Sequence, residues 1–290
     1  MTQKPPSAFY QKVWQLALQI PSGRVTTYGI LCAAAGGHPM VIIKNSQQIE
    51  GIRQSSHLAA ETLRYLSSFV KPGISTEELN QLCHKYIIQH QAIPAPLNYG
   101  GFPKSICISV NDVVCHGIPS KNEILKEGDI VNLDVTTILN GYFGDTSATY
   151  PVGKISSSAQ KLIDVAKKSL YLSIDYLKPG RILNDCVGKI IQPYVEKFGF
   201  SPVKELGGHG VGIKFHEDPF VYHFDYPREK VILKPGMIFT VEPMINGSSD
   251  HRVTLDENDS WTIRTFDHSL SAQFEHTILI TQNGHEILTL

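Results

Sequence analysis

The sequence has no surplus of either charge, no paired-cysteine motif, no long apolar run and no acidic residue before Glu50. Its 26 lysines and arginines nearly balance 27 aspartates and glutamates, so there is no basic footprint for nucleic acid and no block of like charge. The five cysteines, Cys32, Cys83, Cys107, Cys115 and Cys186, are odd in number and scattered. That argues against a disulfide or zinc-ribbon framework and for a reducing compartment. Residues 1–30 lack the apolar segment of a signal peptide, and no run approaches the ~18 residues of a membrane span. A soluble cytoplasmic protein is expected. What is present is enough apolar material, 42% of the residues, for a sizeable core in one large or two modest domains.

The stretch NLDVTTILNGYFGDTS (132–147) carries the first chemical signal. Runs rich in Val, Ile, Thr and Tyr flank Asn140-Gly141, the strongest short hairpin signal, because a type I′ turn needs positive φ at both central positions. With those two residues as the turn, Leu139 faces Tyr142 and Thr136 faces Asp145. Asp134 then points to the same side of the sheet as Asp145, as its diagonal neighbour at roughly 7–8 Å. Two buried like charges that close repel unless a cation lies between them. The hairpin alone leaves open a plainer alternative, two exposed aspartates on the wet face of the sheet.

A repeat bears on that choice. LKEGDIVNLDV (125–135) recurs as LKPGMIFTVEP (233–243), with Asp134 opposite Glu242 at an offset of 108. Upstream, VKPGIS (70–75) matches LKPGRI (177–182). Each KPG lies between two helix-like runs, about 46–69 and 76–90, then about 157–177 and 184–198. Ser75 and Glu78 read as a capping box. Leu79, Cys83 and Ile87 have apolar counterparts in Cys186, Ile190 and Tyr194. The spacing predicts two copies of helix–KPG–helix–strands related by a pseudo-twofold axis. A second acid should then follow Glu242 as Asp145 follows Asp134, and Glu275 in SAQFEHTILI is the natural mate. Four such acids on one sheet interior are costly without metal, and two divalent cations would neutralise them.

Of the twelve histidines, His57, His84, His90, His223, His251, His268 and His285 sit in polar or helical surroundings and are read as ordinary. His209 lies among glycines in GGHGVG, which permit close approach to an ion. His216 follows after a spacing that suits neither a helical metal pair nor one strand face. His116, in VVCHGIP, precedes the return of the chain to the first acid-bearing strand. Imidazole suits both metal ligation and hydrogen-bond donation, and spacing alone does not assign which does which.

NYGGFPKSICISVNDVVCHGIP, NLDVTTILNGYFGDTS, GGHGVGIKFHEDP, GMIFTVEPMIN and SLSAQFEHTILIT, in that order, resemble the bacterial type I methionine aminopeptidases over about residues 40–290. The resemblance implies a "pita-bread" α/β (α+β) fold, a pseudo-twofold antiparallel sheet with helices outside. It implies metal-dependent removal of the N-terminal methionine from nascent proteins and peptides. Asp134 would bind one metal, Asp145 and Glu275 would bridge both, and His209 and Glu242 would bind the other. Two divalent ions, Co, Mn, Fe or Zn, suit a carboxylate-rich shell with one imidazole, and the hydroxide they share would be the nucleophile. His216 would stabilise the oxyanion, His116 would hydrogen-bond the substrate amide, and Glu242 would carry a proton to the leaving amine. The methionine slot maps to Tyr99, Phe102, Cys107, Phe215 and Trp261. Departures are mild: Gly100 and Phe102 stand where some members carry His and Tyr, and Phe266 and His268 lie in a stretch often written KDG. Proline-specific relatives share the fold and ligands, but they carry a large, different N-terminal domain, and the CHGIP context favours methionine. A non-catalytic binding member of the fold would be expected to have lost ligands.

Residues 1–39 stand apart. FYQKVWQLALQIPSGRVTTYG resembles the start of the DNA-binding domain of methylated-DNA–cysteine methyltransferases and alkyltransferase-like proteins over about residues 7–36, with a helix expected at about 7–20. No Pro-Cys-His-Arg motif follows, so Cys32 is not read as an alkyl acceptor. A fragment of ~40 residues buries little core alone and is expected to pack loosely on the catalytic domain at 40–290, with 36–39 as linker. A transient ribosome contact is compatible with such an arm. Otherwise the expected partner is a peptide or nascent-chain N-terminus, with no membrane or nucleic acid, and the chain is expected to be a monomer.

Overall fold

The structure, a computed structural model, describes residues 41–290. The expected helix at 7–20, the linker at 36–39 and the alkyltransferase likeness lie outside the described residues.

The repeat read from the sequence is a repeat in space. The first half runs through helix Ser46–Ser67, the KPG turn at 71–73, helix Thr76–Gln89, and strands Ile130–Leu139 and Tyr142–Pro151. The second runs through helix Ser157–Ile174, the KPG turn at 178–180, helices Leu183–Cys186 and Gly188–Glu196, and strands Ile238–Val241 and Ser271–Ile280. The two turns close in the same way. The Gly73 N–H donates to Leu125 O at 2.8 Å, and the Gly180 N–H donates to Leu233 O at 2.9 Å. Isolated bridges join Ser75 to Ile124 and Ile182 to Ile232. Ser75 caps its helix in the expected box with Glu78, and Asn45 and Gln48 cap the first helix alike.

The main sheet follows the order Ile93–Pro94, Ile130–Leu139, Tyr142–Pro151, Ser271–Ile280, Ile238–Val241, Gly208–Gly210, Glu217–Val221, with every neighbouring pair antiparallel. Strand Ser271–Ile280 therefore sits between the halves. The hairpin register is the expected one, Leu139 opposite Tyr142 and Thr136 opposite Asp145. Asn140 and Gly141 have φ of 52° and 82°, as a type I′ turn requires.

Alternation along the strands divides the sheet faces. Val131, Leu133 and Val135 pack with Leu58, Leu63, Leu66, Leu79, Cys83 and Ile87 of the first helix pair. Phe239, Val241, Phe274 and Ile278 pack with Leu162, Ala166, Leu170, Ile191 and Val195 of the second. Each such buried aliphatic contributes roughly 1.5–3 kcal/mol. The intervening residues, Asp134, Thr136, Asp145, Thr240, Glu275 and Thr277, share the other face. The first helix lies directly on its hairpin. A Cβ at Gly144 would meet Ser56 N at 2.2 Å, and Ser55 Oγ donates to Thr137 O at 3.0 Å.

One expected helix differs. The run at 184–198 is broken at Val187, with φ −108° and ψ −76°. Gly188 lies so close to the neighbouring backbone that a Cβ there would sit 2.0 Å from Phe224 O. The break shifts the core face by one position, so Ile191 and Val195 are buried where Ile190 and Tyr194 were expected. A small three-stranded sheet, Val113–Cys115, Val253–Leu255 and Ile263–Thr265, stands beside the main one.

Candidate metal centre

The register places the acids in rows across the sheet. Asp134 pairs with Ser147, and Ser147 pairs with Glu275 on its other side. One step along, Thr136 pairs with Asp145. Ligand oxygens of Asp134, Asp145 and Glu275 all lie within 4.8 Å of one another. Glu242 follows strand Ile238–Val241 directly, where His276 is opposite Val241, and that register continued by one residue brings Glu242 beside Glu275. His209 Nε2 lies 3.6 Å from Glu242 Oε1 and 3.8 Å from Asp145 Oδ2. The five residues singled out from sequence thus converge.

Their protein partners hold the acids without neutralising them. Thr136 Oγ1 donates to Asp145 Oδ1 at 2.7 Å, Thr240 Oγ1 to Glu242 Oε1 at 2.6 Å, and Gln273 Nε2 to Glu242 Oε2 at 3.1 Å. Among the described residues no lysine or arginine pairs with any of the four carboxylates. At an effective dielectric near 20, like charges this close repel by roughly 3 kcal/mol per pair. Burial, and for Asp134, Glu242 and Glu275 the neighbouring acids as well, push these pKa values up: Asp145 to about 7, and Asp134, Glu242 and Glu275 well above the carboxylate range.

His209 completes the argument for a cation. Its Nδ1 lies 3.0 Å from Gly210 O, and a carbonyl only accepts, so Nδ1 carries the proton. Nε2 is left with its lone pair aimed at two carboxylates. Burial lowers the His209 pKa to about 4, so the ring is neutral at neutral pH. A lone pair facing two ionised carboxylates is repulsive unless a proton or a metal cation lies between, and a second nitrogen tied to a carbonyl is the usual arrangement of a ligating histidine. The donor set fits divalent metal.

Two further histidines stand over this floor. The His216 ring lies 4.2 Å from that of His209, and its Nδ1 is 2.9 Å from Tyr99 Oη. Desolvation, then the His209 and His116 rings, push the His216 pKa down, although solvent reaches the ring at the mouth of the site. His116, in a left-handed conformation at φ 55°, sits edge-on to Trp261 at 6.2 Å. Burial lowers its pKa as well. His209 thus faces the acids, whereas His216 is bonded to Tyr99.

The expected slot residues gather at the same end. Tyr99 and Phe215 rings are 4.8 Å apart, and Phe102 and Trp261 are 5.3 Å apart in an edge contact. Cys107 pairs in register with Asp134. Its thiol pKa is pushed well up by burial and then by the acids around it. A Cβ at Gly100 would touch Trp261 at 3.3 Å, so the departure at that position opens space beside the indole.

Sequence reasoning missed His223. It is 0% exposed, and its Nε2 accepts the Glu242 backbone N–H at 3.1 Å. The signal was there: an imidazole in the aromatic run FVYHF must be buried with its neighbours. Thr136, Thr240 and Gln273 were also not singled out, since hydroxyl and amide groups on strands carry no spacing signature.

Residues 50–282 match the family model described as metallopeptidase family M24. A methionine aminopeptidase from Buchnera aphidicola subsp. Schizaphis graminum is 54% identical over 248 residues, 86% of this chain and 94% of that protein. The Escherichia coli (strain K12) methionine aminopeptidase is 50% identical over 251 residues, again 86% of this chain and 94% of its own. The crystal structure of the Rickettsia prowazekii methionine aminopeptidase superposes with a TM-score of 0.84 at 48% identity, covering 87% of this chain and 100% of that one.

Proposed function

The chain belongs to metallopeptidase family M24, among its methionine aminopeptidases, and from that premise we propose how its residues divide the work of removing an N-terminal methionine. Asp134, Asp145, His209, Glu242 and Glu275 would hold two divalent ions, with Asp145 and Glu275 the most deeply buried of the four acids. The observation that carries this reading is the neutral His209 lone pair directed at two carboxylates in a site with no lysine or arginine partner among the described residues. Bound there, divalent ions would supply the positive charge that polarises the scissile carbonyl and makes a water acidic.

The chain's own groups then act around the peptide. With Tyr99 Oη donating to Nδ1 of His216, 2.9 Å away, the Nε2–H of that ring is left to stabilise negative charge growing on the carbonyl oxygen. His116 donates to the substrate amide. Glu242, oriented by Thr240 and Gln273, moves a proton to the departing amine nitrogen. Tyr99, Phe102, Cys107, Phe215 and Trp261 enclose the unbranched thioether side chain and exclude water from it. Residues 40–290 form the catalytic domain in this reading. A cytoplasmic location accords with four free cysteines, Cys83, Cys107, Cys115 and Cys186, among the described residues.

Incubation with Met-Ala-Ser and Mn or Co should release free methionine, and Met-Ala should be cleaved in preference to Ala-Pro. Absence of release with Mn, Co, Fe and Zn alike would refute the assignment.

A further inference from the structure

Among the described residues, one pair of opposite charges outside the acid cluster is enclosed by protein. Lys44 Nζ lies 2.7 Å from Glu217 Oε2, and the two side chains are 0% and 1% exposed. Every other lysine or arginine pair with a carboxylate among the described residues has both partners more than a tenth exposed. A buried pair of this kind is rarely a source of stability, because taking both groups out of water offsets their attraction. Desolvation indeed lowers the Lys44 pKa. The pair calls for another explanation, and its surroundings supply one.

The second oxygen of Glu217 accepts two backbone N–H groups, from Ile213 at 2.7 Å and Lys214 at 2.8 Å. One carboxylate therefore ties the end of the 212–217 loop to its beginning, and the residues between are Phe215 and His216. Gly212 at the far end accepts the Phe143 N–H at 2.9 Å, and the Phe143 and Phe215 rings stack at 5.9 Å. Lys44 is itself anchored, since its N–H donates to Gly236 O at 2.9 Å. Glu217 thus begins strand Glu217–Val221, Lys44 is bonded to the turn that leads into strand Ile238–Val241, and the loop the clamp closes carries an imidazole whose ring lies 4.2 Å from that of His209.

We infer that Lys44 and Glu217 are positioning residues, whose buried bond fixes the 212–217 loop so that His216 is held at its working place over the acid cluster. The inference rests on the role given to His216 above. A charged pair suits this task better than an apolar one, because a carboxylate can take two amides and an ammonium together in one fixed arrangement.

The test uses the full metal-loaded chain with Lys44→Met and, separately, Glu217→Gln, each alone and combined with His216→Ala. Either change should lower kcat on Met-Ala-Ser about tenfold in the native background and less than about twofold when His216 is already absent, the non-additivity of groups acting as a unit. The Ile213 and Lys214 amides should exchange hydrogen at least about tenfold faster in Lys44→Met, as expected when a local closing bond is lost. Glu217→Gln keeps an acceptor for both amides and decides the matter if Lys44→Met does not fold. Equal losses of kcat in both backgrounds, or unchanged exchange, would overturn the clamp. A His216→Ala enzyme with undiminished kcat would instead overturn the role of His216, and the two failures are distinguishable.

Discussion

In the first half of the molecule the strand bearing Asp134 turns back after two residues, and its partner carries Asp145. In the second half the chain stays in the sheet through Met244–Asn246, leaves it there and returns at Ser271. The excursion lays down strands Val253–Leu255 and Ile263–Thr265 and places Trp261 against Phe102 and beside His116. Both routes deliver an acid to the same face of one sheet. The comparison separates two tasks. In the function proposed above, what the halves share would hold cations, and Trp261, brought in only by the longer route of the second half, would complete the wall of the methionine slot.

The strongest way to break this comparison is to remove one central acid from each half. Asp145→Ala and Glu275→Ala should each lower kcat/KM by on the order of 10³-fold or more. Neither should lower the melting temperature of the metal-free protein at pH 8, because each thins a cluster of buried acids that repel one another as they ionise. A large loss for one and a small loss for the other would show that the halves do not contribute equally.

A second test sharpens the idea of a shared trap. Asp145, raised to about 7, and the other acids, also raised well above the usual carboxylate values, hold protons in the folded metal-free protein that the unfolded chain releases. Their contribution to stability is present at low pH and is lost as pH rises from about 4 through about 7 and beyond. Cations that bind the deprotonated acids restore what has been lost. The rise in melting temperature on adding Mn should therefore be larger at pH 8 than at pH 5 by scanning calorimetry. An equal or reversed difference would place the stabilising cation elsewhere.

The smallest effect concerns the helices. Because the second half breaks its helix at Val187, Ile191→Ala should cost about 2–5 kcal/mol in denaturant unfolding, and Ile190→Ala less than about 1 kcal/mol. The reverse order would restore the unbroken helix that the repeat alone suggests.

Much of this was legible because it is local or periodic. Asn140-Gly141 specified the turn, the turn specified the register, and the register placed Asp134 and Asp145 on one face. The recurrence of LKEGDIVNLDV as LKPGMIFTVEP set Glu242 opposite Asp134, and Glu275 followed as the mate of Asp145. The break at Val187 was hidden because its cause, the approach of Gly188 to Phe224 O, comes from chain far along the sequence. The Lys44–Glu217 pair spans 173 positions and leaves no mark in either neighbourhood. His223 was passed over because polar neighbours were weighed and the aromatic alternation around it was not. The contact between Tyr99 and His216 depends on a loop whose left-handed residues, Asn98 and Gly100, have no periodic pattern.

Strand Ser271–Ile280 pairs with Tyr142–Pro151 on one side and Ile238–Val241 on the other. Zipping this seam is therefore the same event as closing the ring of acids. A molecule whose halves have parted keeps no working fraction of its centre, so loss of the fold along this seam carries with it the capacity to hold cations.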